Sequence, residues 1–206
     1  MHNLFQRLTK DEKKFIVISA IFLAAGQSKR LKKENKLIKI YKKKPLVNHS
    51  LKSLIKSKIG KIIIVLGFEK NKVKKKIIKS KKIVFIFNRN YKKGISASIK
   101  YGLSKISKKN KGFIIVQSDM PFIKTKHINK ICNSILKKKQ LVHALKFRNQ
   151  VGNPIGFDIS TLSKFKKIKG DYGAKFMVKR LKKQTNFIKV TSGKIFKDCD
   201  LKKDFN

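Results

Sequence analysis

The sequence predicts an α/β domain of three layers, in which helices cover both faces of a mostly parallel β-sheet. Short apolar runs alternate along the chain with segments whose apolar residues recur at helical spacing, and this alternation is typical of such domains. The first run, residues 15–23, is apolar almost throughout, as expected of a central parallel strand that is buried on both faces. The chain has 206 residues, which is long enough to bury the core of one such domain.

Five apolar runs are predicted to be strands, and they occupy residues 15–23, 61–66, 83–87, 113–116 and 141–145. The segments between them are predicted to be helices because their apolar side chains would form a stripe on one face. These stripes consist of Leu46, Leu51, Leu54 and Ile55; Val73, Ile77 and Ile78; Ile95, Ile99, Leu103 and Ile106; and Ile128, Ile131, Ile135 and Leu136. Pro45 suits the first position of the first helix. After Val151 the pattern becomes less regular, and we expect an insert or lid there rather than a second domain.

The first apolar run also has the form of a secretory signal peptide, because Lys13 and Lys14 precede it. A strand is the favoured interpretation, since the run leads directly into a small and basic loop at residues 26–30 that suits ligand binding. Residues 1–14 would then form a polar N-terminal extension, and residues 15–206 a single domain.

The number of cysteines and the length of the apolar runs indicate the cellular compartment in which the protein functions. Cys132 and Cys199 are too few to form a disulfide framework and lack the spacing of a zinc site. No apolar run reaches the roughly 18 residues that a membrane-spanning helix needs. We therefore expect a cytoplasmic protein with no membrane partner.

The chain is strongly basic, with 55 Lys and Arg residues against 10 Asp and Glu and a formal net charge of +45. Only five of these cations are arginine, although nucleic-acid-binding proteins favour arginine for bidentate contacts to phosphate and guanine. Because the lysines are spread along the whole chain, a bias toward A/T-rich codons explains them better than a specific binding surface. We expect salt-sensitive attraction of anions, including nonspecific RNA binding, which is poor support for an RNA-directed function.

Small residues and then basic ones follow the first predicted strand, in the order Leu23-Ala24-Ala25-Gly26-Gln27-Ser28-Lys29-Arg30. Small side chains let a backbone approach a ligand closely, and exposed N–H groups in such a turn bind anions. Arg30 and Lys36 add positive charge suited to a triphosphate. The loop lacks the Gly-Lys-Ser/Thr ending of a Walker loop and the three glycines of a dinucleotide fingerprint. An ordinary strand-to-helix turn is the alternative.

Carboxylates are scarce, so a metal site has few candidate ligands. Asp119 stands just past the predicted strand 113–116, where ligands collect in parallel sheets. Its hard oxygen atoms suit Mg²⁺. Asp198 and Asp200 are two apart, so on an extended segment they would point to the same side, and one of them could complete the metal shell. A helix cap or turn role for Asp119, and a solvated acidic tail for the pair, are the alternatives.

Several polar residues farther along could contact a ligand or merely shape turns. Gly94 can adopt the backbone conformations that a turn requires. Ser96 can cap the following helix while offering its hydroxyl to a ligand. Asn153 can offer an amide to a phosphate. We expect His127 to lie on the surface of a helix. The remaining histidines form no ligand cluster: His2, His49 and His143.

Together these motifs resemble the MobA-like nucleotidyltransferases, and within them the molybdenum cofactor cytidylyltransferase branch. The resemblance runs from about residue 16 to the C-terminus. The segments that carry it are residues 23–30 with Asn35-Lys36-Leu37, residues 88–99, residues 117–121, residues 151–154, residues 170–175 and the closing acids around Asp200. The chain departs from the family pattern in having Leu31-Lys32 for Met-Gly, Ser118 for Gly and Lys175 for Arg, and in lacking Thr-Pro after Asp200.

The resemblance implies a Rossmann-like fold of the nucleotide-diphospho-sugar transferase type. It implies Mg²⁺-dependent transfer of CMP from CTP to the molybdenum–molybdopterin cofactor, with release of pyrophosphate. CTP is favoured because the guanine-specific branch carries Asp where this chain has Asn35, and a Pro-containing loop where this chain has residues 88–99. A molybdenum hydroxylase that receives the finished cofactor is an implied partner.

The resemblance also assigns roles to residues. The catalytic residues would be Arg30, Lys36 and Asp119. The nucleotide would contact Leu23, Ala24, Ala25, Gly26, Ser28, Arg30, Lys36, Gly94, Ser96 and Ser98. The acceptor would contact Asn153, Asp171 and Lys175. Asp119 and Asp200 would hold Mg²⁺, with Asp198 open as the second ligand instead.

Three other functions stay open at this point. The first is nucleotidyl transfer to a sugar or polyol phosphate on the same fold. The second is a basic RNA-binding module, although the aromatic sheet motif of common RNA binders is missing. The third is a chaperone-like protein that binds the cofactor without turnover, a role that would not need the carboxylates.

Overall fold

The computed structural model describes residues 18–28, 34–200 and 202–205. The predicted N-terminal extension, the first residues of the first predicted strand, and Arg30 lie outside these ranges. No helix within them combines the length and apolar character needed to cross a lipid bilayer.

Within the described residues, seven strands form one sheet and two more form a small hairpin. The sheet strands are β1 (Ile18–Ala24), β4 (Lys61–Leu66), β5 (Ile83–Phe87), β6 (Gly112–Gln117), β7 (Val142–Phe147), β8 (Gln150–Asp158) and β9 (Thr185–Lys189). The hairpin consists of β2 (Ile40–Tyr41) and β3 (Lys44–Pro45). The sheet order is β5-β4-β1-β6-β8-β7-β9, and β8 is the strand that runs antiparallel to its neighbours.

The centre of the sheet is a topological switch point. β1 pairs in parallel with β4 on one side and with β6 on the other. Its carboxyl end at Ala24 therefore lies level with Leu66 and close to Gln117. In open α/β sheets, ligands bind in the crevice outside the strand ends at such a point. The fold thus selects the loops after β1 and β6 as the place to look for a site.

Helices cover both faces of the sheet. In the described part of the chain, one face carries α1 (Val47–Ile55), α2 (Lys70–Lys76) and α4 (Thr125–Lys137), and the other carries α3 (Ile95–Leu103), α5 (Ala174–Arg180) and a 3₁₀ helix at Ile159–Lys167. Phe22 of β1 belongs to the first core and Ile21 to the second, and both are fully buried. This two-sided burial explains why β1 is continuously apolar. The predicted three-layer, mostly parallel fold class is confirmed.

Several local predictions for the helices need correction, and Leu46, Ile78 and Ile106 of the predicted stripes lie outside the observed helices. Pro45 ends β3, and α1 begins only at Val47. Ile77 lies past the end of α2 in an extended conformation, where it still reaches the core. His127 is buried rather than on the surface, because its ring Nδ1 accepts the N–H of Lys124 at 3.1 Å and so caps the start of α4.

The region after Val151 was expected to be an insert or lid, and this prediction was wrong. It contains β8, a full strand of the sheet between β6 and β7. Glycines made the segment look irregular, but at least one of them is required by packing. A Cβ atom on Gly156 would lie 2.4 Å from Cγ2 of Ile131, so a side chain there would push α4 off the sheet.

Candidate functional site

A cleft of about 730 Å³ opens at the carboxyl ends of β1 and β6. It brings together most of the residues that the sequence singled out, although they come from five separate segments. The predicted residues that line it are Leu23, Ala25, Gly26, Ser28, Lys36, Gly94, Ser98, Asp119, Asp171 and Asp200.

The loop after β1 forms one wall of the cleft. No described atom lies within 4 Å of where a Cβ on Gly26 would stand, so the backbone there faces open space. Ser28 has a positive φ of 53°, and its hydroxyl accepts the backbone N–H of Lys36 at 3.0 Å. This bond ties the two ends of the loop together across the residues between them.

Asn35 fixes the position from which Lys36 enters the cleft. Its Oδ1 accepts the N–H of Leu37 at 3.1 Å and so caps the short 3₁₀ helix Lys36–Ile38. Its Nδ2 donates to the carbonyl of Phe68 at 3.4 Å. The sequence analysis cited Asn35 as part of a motif without giving it a function. An asparagine directly before a predicted turn is the signal that could have indicated a cap.

Two carboxylates, those of Asp119 and Asp200, line the cleft, and the exposed carboxylate of Asp198 lies beside them outside the described lining. One oxygen atom from each of Asp119, Asp198 and Asp200 lies within 4.8 Å of the other two. The backbone N–H of Cys199 donates to the carbonyl of Asp119 at 3.0 Å, which fastens the C-terminal segment to the end of β6. The hydroxyl of Ser118 donates to the carbonyl of Leu23 at 2.6 Å and holds the ends of β6 and β1 together.

Lys36 lies between two of these acids. Its Nζ donates to Oδ2 of Asp119 at 2.6 Å and also to Oδ1 of Asp200. Burial alone would lower the pKa of Lys36, but the adjacent carboxylates of Asp119 and Asp200 outweigh it and raise that pKa. Burial, with the neighbouring charges of Asp200 and Asp119, raises the pKa of Asp198. The cluster is therefore strongly negative and depends on a cation.

The cluster fits a divalent metal ion. Its donor atoms are carboxylate oxygens, the ligands that Mg²⁺ and Mn²⁺ prefer. In addition, Oδ1 of Asp119 is buried and accepts no hydrogen bond from any described group, which leaves it available to a cation. Asp198 and Asp200 both lie within reach, so the arrangement allows either as the second ligand.

The opposite wall of the cleft joins two segments that are distant in sequence. Gly94 precedes α3 with φ 93° and ψ 175°, a conformation open essentially to glycine alone. Oδ1 of Asp171 accepts the N–H of Ile95 at 3.4 Å, and the carbonyl of Gly170 accepts the N–H of Ser96 at 3.0 Å. The segment predicted to bind the acceptor therefore packs against the one predicted to bind the nucleotide.

The two predicted serines occupy different positions in this wall. Ser98 lines the cleft and is nearly buried, and its hydroxyl accepts a hydrogen bond from Nδ2 of Asn88 at 3.1 Å. Ser96 was expected to cap α3, but Gly94 occupies the cap position and Ser96 lies inside the helix. Ser96 is also nearly buried and stands outside the described lining of the cleft.

Three further predicted residues lie away from the described lining. Ala24 is buried in the core as the last residue of β1. Lys175 is exposed in the first turn of α5. Asn153 lies in β8, two residues from Ile155, which pairs with Ile115 of β6, so it is close to the cleft edge. Oδ1 of Asn153 is buried and accepts no hydrogen bond from the described part of the chain.

Two lysines were missed by the sequence analysis. Lys92 and Lys93 line the cleft from a 3₁₀ turn just before Gly94. Nothing in the sequence distinguished them from the many other lysines of this chain. Their position adds positive charge to the wall that faces the carboxylate cluster.

A switch-point cleft with a small-residue loop, lysines and clustered carboxylates is typical of α/β domains that bind phosphate groups together with a metal ion. The family follows from comparison with known proteins. Residues 20–185 match the MobA-like NTP transferase domain, and the chain belongs to that family. The resemblance inferred from the motifs is confirmed at this level.

Among curated proteins, the chain is similar to the 2-C-methyl-D-erythritol 4-phosphate cytidylyltransferase of Lachnoclostridium phytofermentans, with 33% identity over 131 residues. The match covers 61% of this chain and 54% of that protein, so the chain spans about half of its relative's length.

Solved structures show the same fold at lower identity. Rv0371c from Mycobacterium tuberculosis H37Rv superposes with a TM-score of 0.79 at 19% identity, over 92% of this chain and 95% of that one. A complex of Rv0371c with manganese superposes with a TM-score of 0.75 at 17% identity, over 92% and 96% of the two chains.

Proposed function

We propose that this protein is a nucleotidyltransferase that uses a divalent cation to transfer CMP from CTP to a phosphorylated acceptor. The observation that carries the proposal is the convergence of Lys36, Asp119, Asp200 and the small-residue loop on one cleft, with Asp198 beside the two acids. A phosphate oxygen of the acceptor attacks the α-phosphorus of CTP and forms a new P–O bond. The bond from that phosphorus to the bridging oxygen of the β-phosphate breaks, and pyrophosphate leaves with its electron pair.

This reaction needs no general base, because a phosphate oxygen is already a competent nucleophile. Catalysis then consists of positioning and charge neutralisation. The backbone after β1 faces open space at Gly26 and would accept the triphosphate. Lys36 would neutralise charge at the α-phosphate. Arg30, which lies outside the described residues, would hold the β- and γ-phosphates.

The bound cation would be Mg²⁺, held by Asp119 together with Asp200 or Asp198, and would supply charge neutralisation at the phosphates. Support comes from the carboxylate cluster and from the buried, unpartnered Oδ1 of Asp119. The manganese complex of Rv0371c, a protein of the same fold, agrees with a divalent cation in this fold.

For the acceptor we propose the molybdenum–molybdopterin cofactor, on the strength of the sequence motifs, with a molybdenum hydroxylase as the recipient of the product. Asp171 lines the cleft and would face the acceptor, with Asn153 at its edge and Lys175 farther away. We also propose that residues 15–206 form a single domain after the extension at 1–14, and that the protein works in the cytoplasm.

A polyol phosphate is the second candidate acceptor. It is favoured by the curated relative named 2-C-methyl-D-erythritol 4-phosphate cytidylyltransferase. Both acceptors present a terminal phosphate, so the same cleft chemistry serves either of them.

The test is a matrix of purified protein with CTP, GTP, UTP or ATP against both acceptor types, read out as pyrophosphate release in Mg²⁺. We expect turnover with CTP and one acceptor, and none in an Asp119→Asn variant that remains folded. A Lys72→Met variant is the control, because its exposed ion pair with Glu69 lies outside the described cleft lining. Binding without turnover would favour the chaperone-like function, and turnover by Asp119→Asn would contradict the metal assignment.

A further inference from the structure

The ammonium group of Lys36 occupies the position in the carboxylate cluster where a cation is needed most. It contacts Oδ2 of Asp119 at 2.6 Å and also Oδ1 of Asp200. The three side chains are mostly buried, with exposed fractions of 13% for Lys36, 17% for Asp119 and 27% for Asp200. Like charges this close and this shielded from water repel strongly unless a counter-ion lies among them.

The two acids that hold the ammonium also supply candidate metal ligands. Asp119 and Asp200 each belong to the group whose oxygens lie within 4.8 Å of one another. A divalent ion bound there would carry twice the charge of the ammonium at nearly the same place. Two cations at contact distance from the same two carboxylates would repel each other, so the ammonium opposes metal binding for as long as it stays there.

The backbone of Lys36 is fixed whereas its side chain can move. The cap by Asn35 and the bond from the Lys36 N–H to the Ser28 hydroxyl hold the main chain in place. The four-carbon stem has rotatable bonds that let the ammonium swing without any change in the fold. Lys36 and Asp119 both line the cleft, so an ammonium released from the acids remains beside the phosphate-binding loop.

We propose that Lys36 is an exchangeable counter-ion for the carboxylate cluster. It holds Asp119 and Asp200 in place before a divalent cation arrives, and it is displaced when that cation binds. Displacement turns the lysine from a partner of the acids into a partner for an incoming phosphate. This inference rests on the proposed function for its biological meaning, but the exchange itself requires no nucleotide.

The exchange predicts that removing the ammonium makes metal binding tighter. We would titrate Mn²⁺ alone into wild-type protein, Lys36→Met and Lys72→Met by calorimetry, with no nucleotide present. Lys72→Met removes the same charge from an exposed pair and corrects for the general effect of net charge. We expect Lys36→Met to bind Mn²⁺ at least about tenfold more tightly than Lys72→Met, because the metal no longer competes with a built-in cation.

Thermal unfolding gives a second readout on the same variants. Without metal, Lys36→Met should melt below Lys72→Met, since its acids lack their counter-ion. Mn²⁺ should raise the melting temperature of Lys36→Met by more than that of the control. Equal or weaker Mn²⁺ binding by Lys36→Met, or no binding by either variant, would overturn the proposal.

A labelling experiment on the wild-type protein avoids any dependence on how the variant folds. An amine-reactive reagent followed by mass spectrometry should modify Lys36 slowly in metal-free protein, where two acids enclose the amine. Saturating Mg²⁺ should increase its modification while Lys72 stays unchanged. Unchanged Lys36 labelling on Mg²⁺ saturation would contradict the exchange. Normal exchange in a protein that turns over no nucleotide would instead count against the proposed function alone.

Discussion

The two halves of the sheet differ in strand direction and in the residues that they bring to the cleft. The parallel half, consisting of β1, β4, β5 and β6, is built from continuous apolar runs, and its loops carry Lys36 and Asp119. The far half, consisting of β7, β8 and β9, includes the antiparallel strand, and its residues Asn153 and Lys175 stand at or beyond the edge of the cleft. Under the proposed function, the loops of the parallel half supply Lys36 and Asp119, the C-terminal segment completes the metal site with Asp198 or Asp200, and the far half supplies the acceptor side.

The strongest test of the difference between the two halves is to remove the carboxylate of Asp119, which follows β6 in the parallel half. Asp119→Asn should lower kcat/KM for CTP by about two to three orders of magnitude, comparable with the loss of one preorganised charge partner elsewhere. Steady-state pyrophosphate release measures it, and circular dichroism checks that the fold is retained. A variant with wild-type turnover would show that the chemistry lies elsewhere in the molecule.

A second expected effect concerns acid stability in the far half. His143 of β7 is fully buried, and its ring Nδ1 bonds the hydroxyl of Ser134 at 2.7 Å. Burial lowers the pKa of His143 from 6.5 to about 4. Between these values the unfolded chain binds the proton and the folded protein does not, so stability falls as the pH drops from 6.5 toward 4. The loss attributable to His143 should reach about 3 kcal/mol.

Urea unfolding at pH 7 and pH 4.5 measures this loss. Wild-type protein should be less stable at pH 4.5, and a His143→Gln variant should show a smaller difference between the two pH values. An equal difference in both proteins would assign the acid sensitivity to other groups. His49 and His127 are candidates for those groups, because burial lowers the pKa of each.

The next largest effect concerns stability, and it tests the packing of Gly94 against Gly170 beside the cleft. Gly94→Ala should cost about 1–3 kcal/mol because its backbone conformation is essentially restricted to glycine. The added Cβ would also lie 2.5 Å from the carbonyl oxygen of Gly170. Gly170→Ala is the matched control: φ is 56° there, but no described atom lies within 4 Å of the new Cβ, and we expect about 1 kcal/mol. If the two variants lost equal stability, the packing between the walls would be unimportant.

The smallest expected effect tests whether the two walls are coupled in function. Asp171 is exposed, and its bond to the N–H of Ile95 is long, at 3.4 Å. Asp171→Asn should therefore leave stability nearly unchanged and raise KM for the acceptor about two- to fivefold. Initial-rate kinetics with each substrate varied in turn would check this. A change confined to KM for CTP would place Asp171 on the nucleotide side instead.

The same division explains what could be predicted from sequence. β4 and β5 were predicted with correct bounds because each is a short apolar run that pairs with its neighbours without interruption. β8 was missed because the demand for glycine at position 156 comes from α4 packing across the sheet. No local pattern reports a contact between residues that are distant in sequence.

The candidate site also depends on contacts between residues that are distant in sequence, which local patterns do not reveal. Asp119 was identifiable because it follows a buried strand, but its partners Lys36 and Asp200 are 83 residues before it and 81 residues after it, respectively. The motifs singled out Lys36 among the 55 cationic side chains, but nothing in the sequence indicated that two acids would enclose its ammonium. The position of Asp200 depends on the bond from the Cys199 N–H to the carbonyl of Asp119, a contact that forms only in the folded state.

The hydrogen bond from the Cys199 N–H to the carbonyl of Asp119 joins a late segment of the chain to the end of β6, and this affects the order in which the protein assembles during synthesis. All seven strands of the sheet precede residue 190, whereas two of the three clustered acids follow it. A chain still emerging from the ribosome could complete its sheet while its cation site is unfinished. Under the proposed function, competence to bind metal would then arrive separately, after the sheet is complete, when the segment around Asp200 reaches the end of β6.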